Sequence, residues 1–390
     1  MTESRRSPPR IYLDNAATSF PKPPGVVEAM SRYMTDEGVS LGRAATRAGD
    51  GLARRIGQLR TRLGAFFGAS REDEVVFTFS GTDSLNTVLH GALRPGDHVV
   101  TTDIEHNSVL RPIEWLRSRG VDVTHVRCDE EGRVSPDDIR AAIRPQTRLV
   151  AVSHASNVTG TIQPIADFAS IAHAAGARIL VDACQTAGHL PVDLRRDGID
   201  FLACSGHKGL RGPLGTGVLV VSAGAADALE SFRQGGTGTL SESPLQPAAG
   251  PEKFEAGNHN TPGLVGLAAA LDWIERQGLA ALREQEIEQT GQLIERLRQL
   301  TKIRVPGCPA EGRVGVVSFV AEGFDSADVA TILDAEFGIE VRAGLHCSPR
   351  IHEAIGTKAS GGTVRLSPGP WTDSHQIAAV ADALAAITAG

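Results

Sequence analysis

Between residues 72 and 222 short apolar runs alternate with stretches of helical periodicity: EVVFTFS then SLNTVLHGAL, DHVVTTD then SVLRPIEWLRSRG, TRLVAVSH then PIADFASIAHAAG, and finally ARILVDA, DFLACSG and TGVLVVS. Alternation at this spacing predicts an α/β layer built on a mostly parallel sheet with helices on both faces. In such a layer ligands bind beyond the carboxyl ends of the strands. The residues that follow each apolar run are therefore where chemistry is to be sought.

After the last run, 235-GGTGTLSESPLQPAAGPEKF-254 breaks the periodicity and reads as a long loop, of the kind that is commonly functional. Helical spacing resumes with Ile287, Leu293, Ile294 and Leu297, and the segments RVGVVSFV, SADVATILDAEFG, IEVRAGLHC, GTVRLSPG and SHQIAAVADALAAI read as a smaller α+β domain. A chain of 390 residues with 41% hydrophobic content supports two domains with real cores. Its formal net charge of −7 argues against a nucleic-acid groove or an anionic-membrane patch, both of which need clustered Lys and Arg. No run approaches the ~18 consecutive apolar residues that cross a bilayer, and no apolar signal core follows MTESRRSPPR. Five cysteines without paired spacing suit a reducing compartment. The expectation is a cytoplasmic protein that handles a small solute, with no nucleic-acid and no membrane partner.

The strand ends carry an unusual set of side chains. Gly81 and Thr82 open a helix after VVFTFS, where free N–H groups suit a phosphate, with Asp83 beside them facing its own backbone. His106 follows VVTTD, Asn157 follows AVSH, and Asp182 and Gln185 end ILVDACQ, where a carboxylate after so apolar a run calls for a cationic or protonated partner. Ser205, His207 and Lys208 lie in 203-ACSGHKGLRGPLGTG-217, whose glycines and small residues leave room beside the lysine. A phosphate cradle, a buried acid, a flat histidine and a sheltered lysine together describe pyridoxal phosphate: the lysine forms the Schiff base and the acid keeps the ring nitrogen protonated. Neither GxxxxGK[ST] nor GxGxxG fits this lysine segment. His90 and His173, inside helices, read as structural.

The ordered segments IYLDNAATSFPKP, EHNS, SNVTGTIQPI, VDACQTAGHLPVDL, SGHKGLRGPLGTGVL, KFEAGNHNTPG, RAGLHC and TVRLSPG, spanning about residues 11 to 385, resemble the class V aminotransferase family, in its cysteine desulfurase branch. The resemblance implies fold type I of the pyridoxal-phosphate-dependent transferases, a large domain with a mostly parallel mixed sheet plus a smaller α+β domain. The expected division is an N-terminal arm over residues 1–20 associated with the small domain, a large domain over 21–260, and a small domain over 261–390 carrying Cys347 and Arg365. It further implies that Lys208 holds the cofactor, His106 stacks on its ring, Asp182 pairs with the ring nitrogen and Gln185 with the phenolic oxygen. Gly81, Thr82, Asp83, Ser205 and His207 would serve the phosphate end, with Thr237 supplied by the other subunit of a homodimer. Asn157, Arg365, Asn15 and Ala16 would hold the substrate, Arg365 through the bidentate grip a carboxylate invites.

Cys347, in 342-RAGLHCSP-349, matches the branch's catalytic cysteine, although Leu345 stands where the Arg-x-Gly-His-His-Cys motif has its first histidine and Ser348 where alanine is common. A histidine beside it and a helix N-terminus after it would favour the thiolate. Cys184 and Cys204, inside apolar runs, read as structural thiols, Cys128 and Cys308 have no evident role, and His346, Cys347 and His352 fall short of a zinc set. The implied reaction converts L-cysteine to L-alanine, leaving a persulfide on Cys347 for a sulfur-acceptor protein. A selenocysteine lyase, a carbon–sulfur lyase or an aminotransferase would share the lysine chemistry with Cys347 incidental. A cofactor carrier or sulfur-relay subunit without turnover is the reading of another class.

Overall fold

The apolar runs become strands because both of their faces are covered. In the computed structural model, which describes residues 10–41 and 46–389, alternate residues of one strand belong to different cores: Val150 and Val152 face one side, Leu149 and Ala151 the other. Leu202 and Cys204 against Phe201 and Ala203 repeat the pattern. A two-residue side-chain period with both sides buried is what turns a half-polar alternation into a continuous apolar run.

The resulting seven-stranded sheet runs in the order Glu74–Thr78, Gly217–Val221, Phe201–Ser205, Arg178–Asp182, Thr147–Ser153, His98–Thr102 and Asp122–Val126. Gly217–Val221 is antiparallel to both of its neighbours and every other pairing is parallel. Helix Arg47–Phe66 covers one face through Leu52, Ile56, Leu59 and Leu63, and helices Gly81–Ala92 and Asn107–Arg117 cover the other. No helix among the described residues is long and apolar enough to cross a membrane.

A second core gathers around the antiparallel sheet Arg342–Gly344, Thr363–Leu366, Val317–Ala321, Ile303–Arg304. Ile11 and Leu13 join it, and Ile11–Tyr12 pairs in parallel with Ile339–Glu340; residues 1–9 of the expected arm lie outside the described residues. Helix Thr261–Gln277, expected to open the small domain, instead buries Leu264, Leu267, Leu271 and Ile274 in the core of the large sheet. The change of core falls along the next helix, Leu279–Arg298, where Leu282 belongs to the large core and Leu293, Ile294 and Leu297 to the small one. Periodicity gave both helices an apolar face without saying which sheet that face would meet.

The seam between the cores holds a buried ion cluster. His189 Nδ1 lies 2.6 Å from Glu286 Oε1, and Arg283 donates to Glu286 Oε2 at 2.5 Å. Burial opposes ionisation of Glu286, but His189 and Arg283 outweigh it and hold the carboxyl at about 2. A depressed folded-state value stabilises the fold above the ordinary carboxyl range, and that increment is lost as pH falls toward 2. Glu286→Gln is expected to lower the unfolding free energy at pH 7 by about 3 kcal/mol. It should also flatten the parent's loss of stability between about pH 4.5 and 2, read by urea unfolding across that range.

Candidate active site

Because the parallel strands share a direction, Thr102, Ser153, Asp182 and Ser205 end on one edge of the sheet. The turns beyond them enclose a cavity of about 220 Å³. Lys208, His106, Asp182, Gln185, Asn157, Thr82, Ser205 and His207 all line it, so eight residues drawn from five separate sequence segments are brought together. Lys208 is half-buried, and its Nζ has no hydrogen-bond or ion-pair partner among the described residues.

His106 caps helix Asn107–Arg117: its Nδ1 accepts the Ser108 N–H at 3.0 Å, which puts the ring proton on Nε2. Burial, then the charge of Lys208, pulls this imidazole down to about 4, so the ring stays neutral at ordinary pH. Asp182 Oδ1 accepts the Cys184 N–H at 2.9 Å, and Gln185 Nε2 donates to the Ala16 carbonyl at 3.1 Å. At the other end the Gly81 N–H donates to Ser205 Oγ at 3.2 Å, Thr82 Oγ1 meets Ser108 Oγ at 2.7 Å, and His207 Nδ1 is buried without a partner among the described residues. The His207 carbonyl is pinned by Ser19 N–H at 3.0 Å and by Lys22 Nζ at 3.1 Å.

Cys347 opens onto a second, outer cavity of about 630 Å³ that shares Thr82, His106 and Ser108 with the first. His90, read as structural from its helix, lines this outer cavity, stacked on Phe232 at 4.6 Å and edge-on to Trp115 at 4.9 Å. His346 does not serve the thiol as expected. It is buried, with Nε2 2.9 Å from Thr363 Oγ1, and the helix after the cysteine is the four-residue Ile351–Ala354, too short to carry a useful dipole. The sulfur rests instead on Arg342, whose Nη2 lies 3.1 Å from Sγ while its side chain also lines the inner cavity. Arg342 was not singled out from the sequence, although RAGLHC contains it.

Other expected contacts are redirected. Asp83 accepts the Phe79 N–H at 2.9 Å and pairs with Arg233 at 3.3 Å, because the turn of chain from Ser80 points its carboxylate back along the strand and away from the cavity. Asn15 bonds Ser367 O at 3.0 Å and accepts the Phe20 N–H at 3.1 Å, and the Ala16 N–H donates to Ser367 Oγ at 2.9 Å, so both residues fasten the arm. Asn157 lines the cavity but spends its amide on the cysteine turn, donating to His346 O at 2.6 Å and accepting from Ser348 Oγ at 2.6 Å. Arg365 is 1% exposed and donates to Asp14 Oδ1 at 2.6 Å and to Asn157 O at 3.1 Å. Thr237 lies on the long loop, bonded to Thr239 and facing a different cavity beside Gly49 and Asp50. Cys184, read as structural, does line the inner cavity, and burial pushes its thiol well up. Among the described residues no group of three or more His, Cys, Asp or Glu is placed to hold a metal ion.

The family model for class-V aminotransferases matches residues 11–380. The chain belongs to that family. It is 39% identical over 377 residues to a probable cysteine desulfurase of Methanothermobacter thermautotrophicus, covering 96% of this chain and 94% of the relative. The apo structure of a cysteine desulfurase from Thermococcus onnurineus superposes with a TM-score of 0.90 at 35% identity, covering 98% of this chain and 95% of the other. A cysteine desulfurase from Escherichia coli gives 0.86 at 29% identity, covering 96% and 93%. With these neighbours the mostly parallel mixed sheet and smaller α+β unit are the α/β architecture of fold type I, which the family couples to pyridoxal phosphate.

Proposed function

We propose that this chain is a pyridoxal-phosphate-dependent cysteine desulfurase, converting L-cysteine to L-alanine and placing the sulfur on Cys347. The observation that carries the reading is the adjacency of two cavities, one holding Lys208 and the other Cys347, with Arg342 reaching from the first to the sulfur of the second.

The residues present fit the cofactor. His207 Nδ1 is a buried polar atom whose missing partner an anionic oxygen would supply. Gly81 has no room for a side chain: a Cβ there would run into Cys184 Sγ and stand 2.7 Å from Ser205 Oγ, so only glycine lets the helix start pack this closely against two residues that line the cavity. Gly81→Ala is expected to cost about 1–3 kcal/mol of stability and to weaken cofactor retention, read as a lower melting temperature and as visible absorbance lost on dialysis.

When bound, the cofactor supplies an aldehyde that links to amines and a conjugated ring that takes up electron density from the substrate's α-carbon. Lys208 would hold that aldehyde carbon through Nζ and, once displaced by the substrate amine, take the α-proton. Asp182 would keep the ring nitrogen protonated, Gln185 would meet the phenolic oxygen, and neutral His106 would supply the flat wall. Thr82, Ser205, His207 and the Gly81 N–H would take the phosphate. Asn157 and Arg365 would hold the substrate carboxylate; Arg365 Nε, buried and unpartnered among the described residues, is the donor still free for it. The Cys347 thiolate would then attack the substrate sulfur: an S–S bond forms, the carbon–sulfur bond breaks with its electron pair going to the β-carbon, and that carbon takes up a proton to become the methyl group of alanine while the sulfur stays on Cys347 as a persulfide.

We read the assembly as a homodimer whose exposed 235–254 loop brings Thr237 to the partner's phosphate site, and the sulfur as passing to an acceptor protein. The cysteines are all free, which suits a reducing, cytoplasmic setting. The apolar outer cavity, with Trp115 46% and Phe232 47% exposed, favours one second reading, a carbon–sulfur lyase acting on a bulkier thioether. Alanine, pyruvate and sulfide measured from L-cysteine and from thioethers separate the two: alanine from L-cysteine alone supports the desulfurase, pyruvate or preferred thioether turnover overturns it.

A further inference from the structure

We propose that Arg342 is the group that makes Cys347 a nucleophile, its guanidinium holding the thiol as thiolate at the junction of the two cavities. The inference deepens the desulfurase reading and rests on it for its biological meaning, but the chemistry of the Arg342–Cys347 pair can be tested by itself.

The contact is direct, Nη2 to Sγ at 3.1 Å. It is also enforced. His346 and Cys347 both have left-handed backbone, φ 50° and 61°, a conformation that non-glycine residues hold only when their surroundings over-determine it. The determining bonds are present: Asn157 Nδ2 donates to His346 O at 2.6 Å, the Asn107 N–H to Cys347 O at 2.7 Å, and the Ser348 N–H to Leu345 O at 2.9 Å. The turn so fixed lays the sulfur on the arginine.

The other groups around the thiol do not replace it. His106 and His90 face Cys347 across the outer cavity, and His346 precedes it; burial depresses all three imidazoles, so none carries charge at neutral pH. Arg111 lines the same cavity. Arg365 lies within electrostatic range of the thiol, but its guanidinium is bonded to Asp14. Lys208 and Asp182 belong to the inner cavity, which Arg342 also lines. Among the described residues, Arg342 is therefore the one cation in contact with both the thiol and the space where a substrate sulfur would arrive. A cation in direct contact favours the charged form of an acidic partner.

Alkylation of the holoenzyme by iodoacetamide, followed by the mass of the Cys347 peptide across pH, tests the proposal. Arg342→Gln should raise the midpoint of the Cys347 profile by about one unit or more. Because a more basic thiolate is also more nucleophilic, the rate at pH 7 should fall about threefold while the plateau at high pH rises. The parent and variant curves should therefore cross. A contact that merely shaped the turn would shift the rate by one factor at every pH, and that result, or an unchanged midpoint, overturns the proposal. Arg342→Lys, which keeps the charge on a similar stem, should fall between the two and serves if the glutamine variant folds poorly. His346→Asn should leave the midpoint in place; a shift there as large as that expected for arginine also overturns it. Alanine formation by the parent is scored separately. An Arg342-dependent profile without alanine sinks the desulfurase reading alone, and alanine formation with an Arg342-independent profile sinks this inference alone.

Discussion

Lys208→Ala is expected to abolish covalent trapping of pyridoxal phosphate by borohydride and to lower alanine formation from L-cysteine by about 10³-fold or more, since one residue supplies both the link to the cofactor and the α-proton transfer. The parent should give a single reduced adduct on the peptide containing Lys208. The informative competitor is Lys22. Its amine is half-buried, bonded to Ser19 Oγ at 2.9 Å and to the carbonyl of His207, and burial followed by the charge of Arg211 pulls it down to about 8, close to the reactive range. An adduct on Lys22 in the parent, or undiminished turnover in Lys208→Ala, would remove Lys208 from the mechanism. Lys22 does not line the cavity and Lys208 does, which is why the expectation falls on the second.

Cys347→Ser should keep the bound cofactor and its reduction onto Lys208, because neither depends on the thiol. Persulfide on the residue-347 peptide should disappear, and alanine formation should fall by at least about 10²-fold, since a hydroxyl at neutral pH is far less nucleophilic than a thiolate. Peptide mass after a single turnover and alanine released per enzyme are the two readings. A lyase that expels its leaving group by elimination would turn over nearly unchanged in this variant. Alanine formation at the parent's rate, with no added sulfur on Cys347 of the parent, would leave the lysine chemistry standing and remove the desulfurase. Arg342→Gln offers the graded counterpart: the thiol stays and only its ionisation is weakened.

The serine at position 348 gives this turn a bond that alanine could not make. Its hydroxyl donates to Asn157 Oδ1, so the amide expected to meet the substrate carboxylate is tied at both ends to the cysteine turn.

Much of the architecture was legible from residue order. Apolar runs such as RLVAV and RILVD report burial on both faces, so the mostly parallel sheet followed from them, and with it the edge where Lys208, His106, Asp182, Ser205 and His207 meet. Each of those side chains sits within a few residues of its strand's end, and for parallel strands that position in sequence is already a position in space. What lies between separate segments was not legible. That helix Thr261–Gln277 packs on the large core was decided by which sheet its apolar face met, a property that helical periodicity does not carry. Asp83 turned to Arg233, and Arg365 to Asp14, because each found its partner on a distant stretch of chain. The sequence by itself determined the layer and the strand-end edge on which Lys208 lies. Only the tertiary structure decided that the thiol lies on Arg342 rather than beside a charged His346, because the left-handed turn at residues 346 and 347 sends the imidazole to Thr363 and the sulfur to the guanidinium.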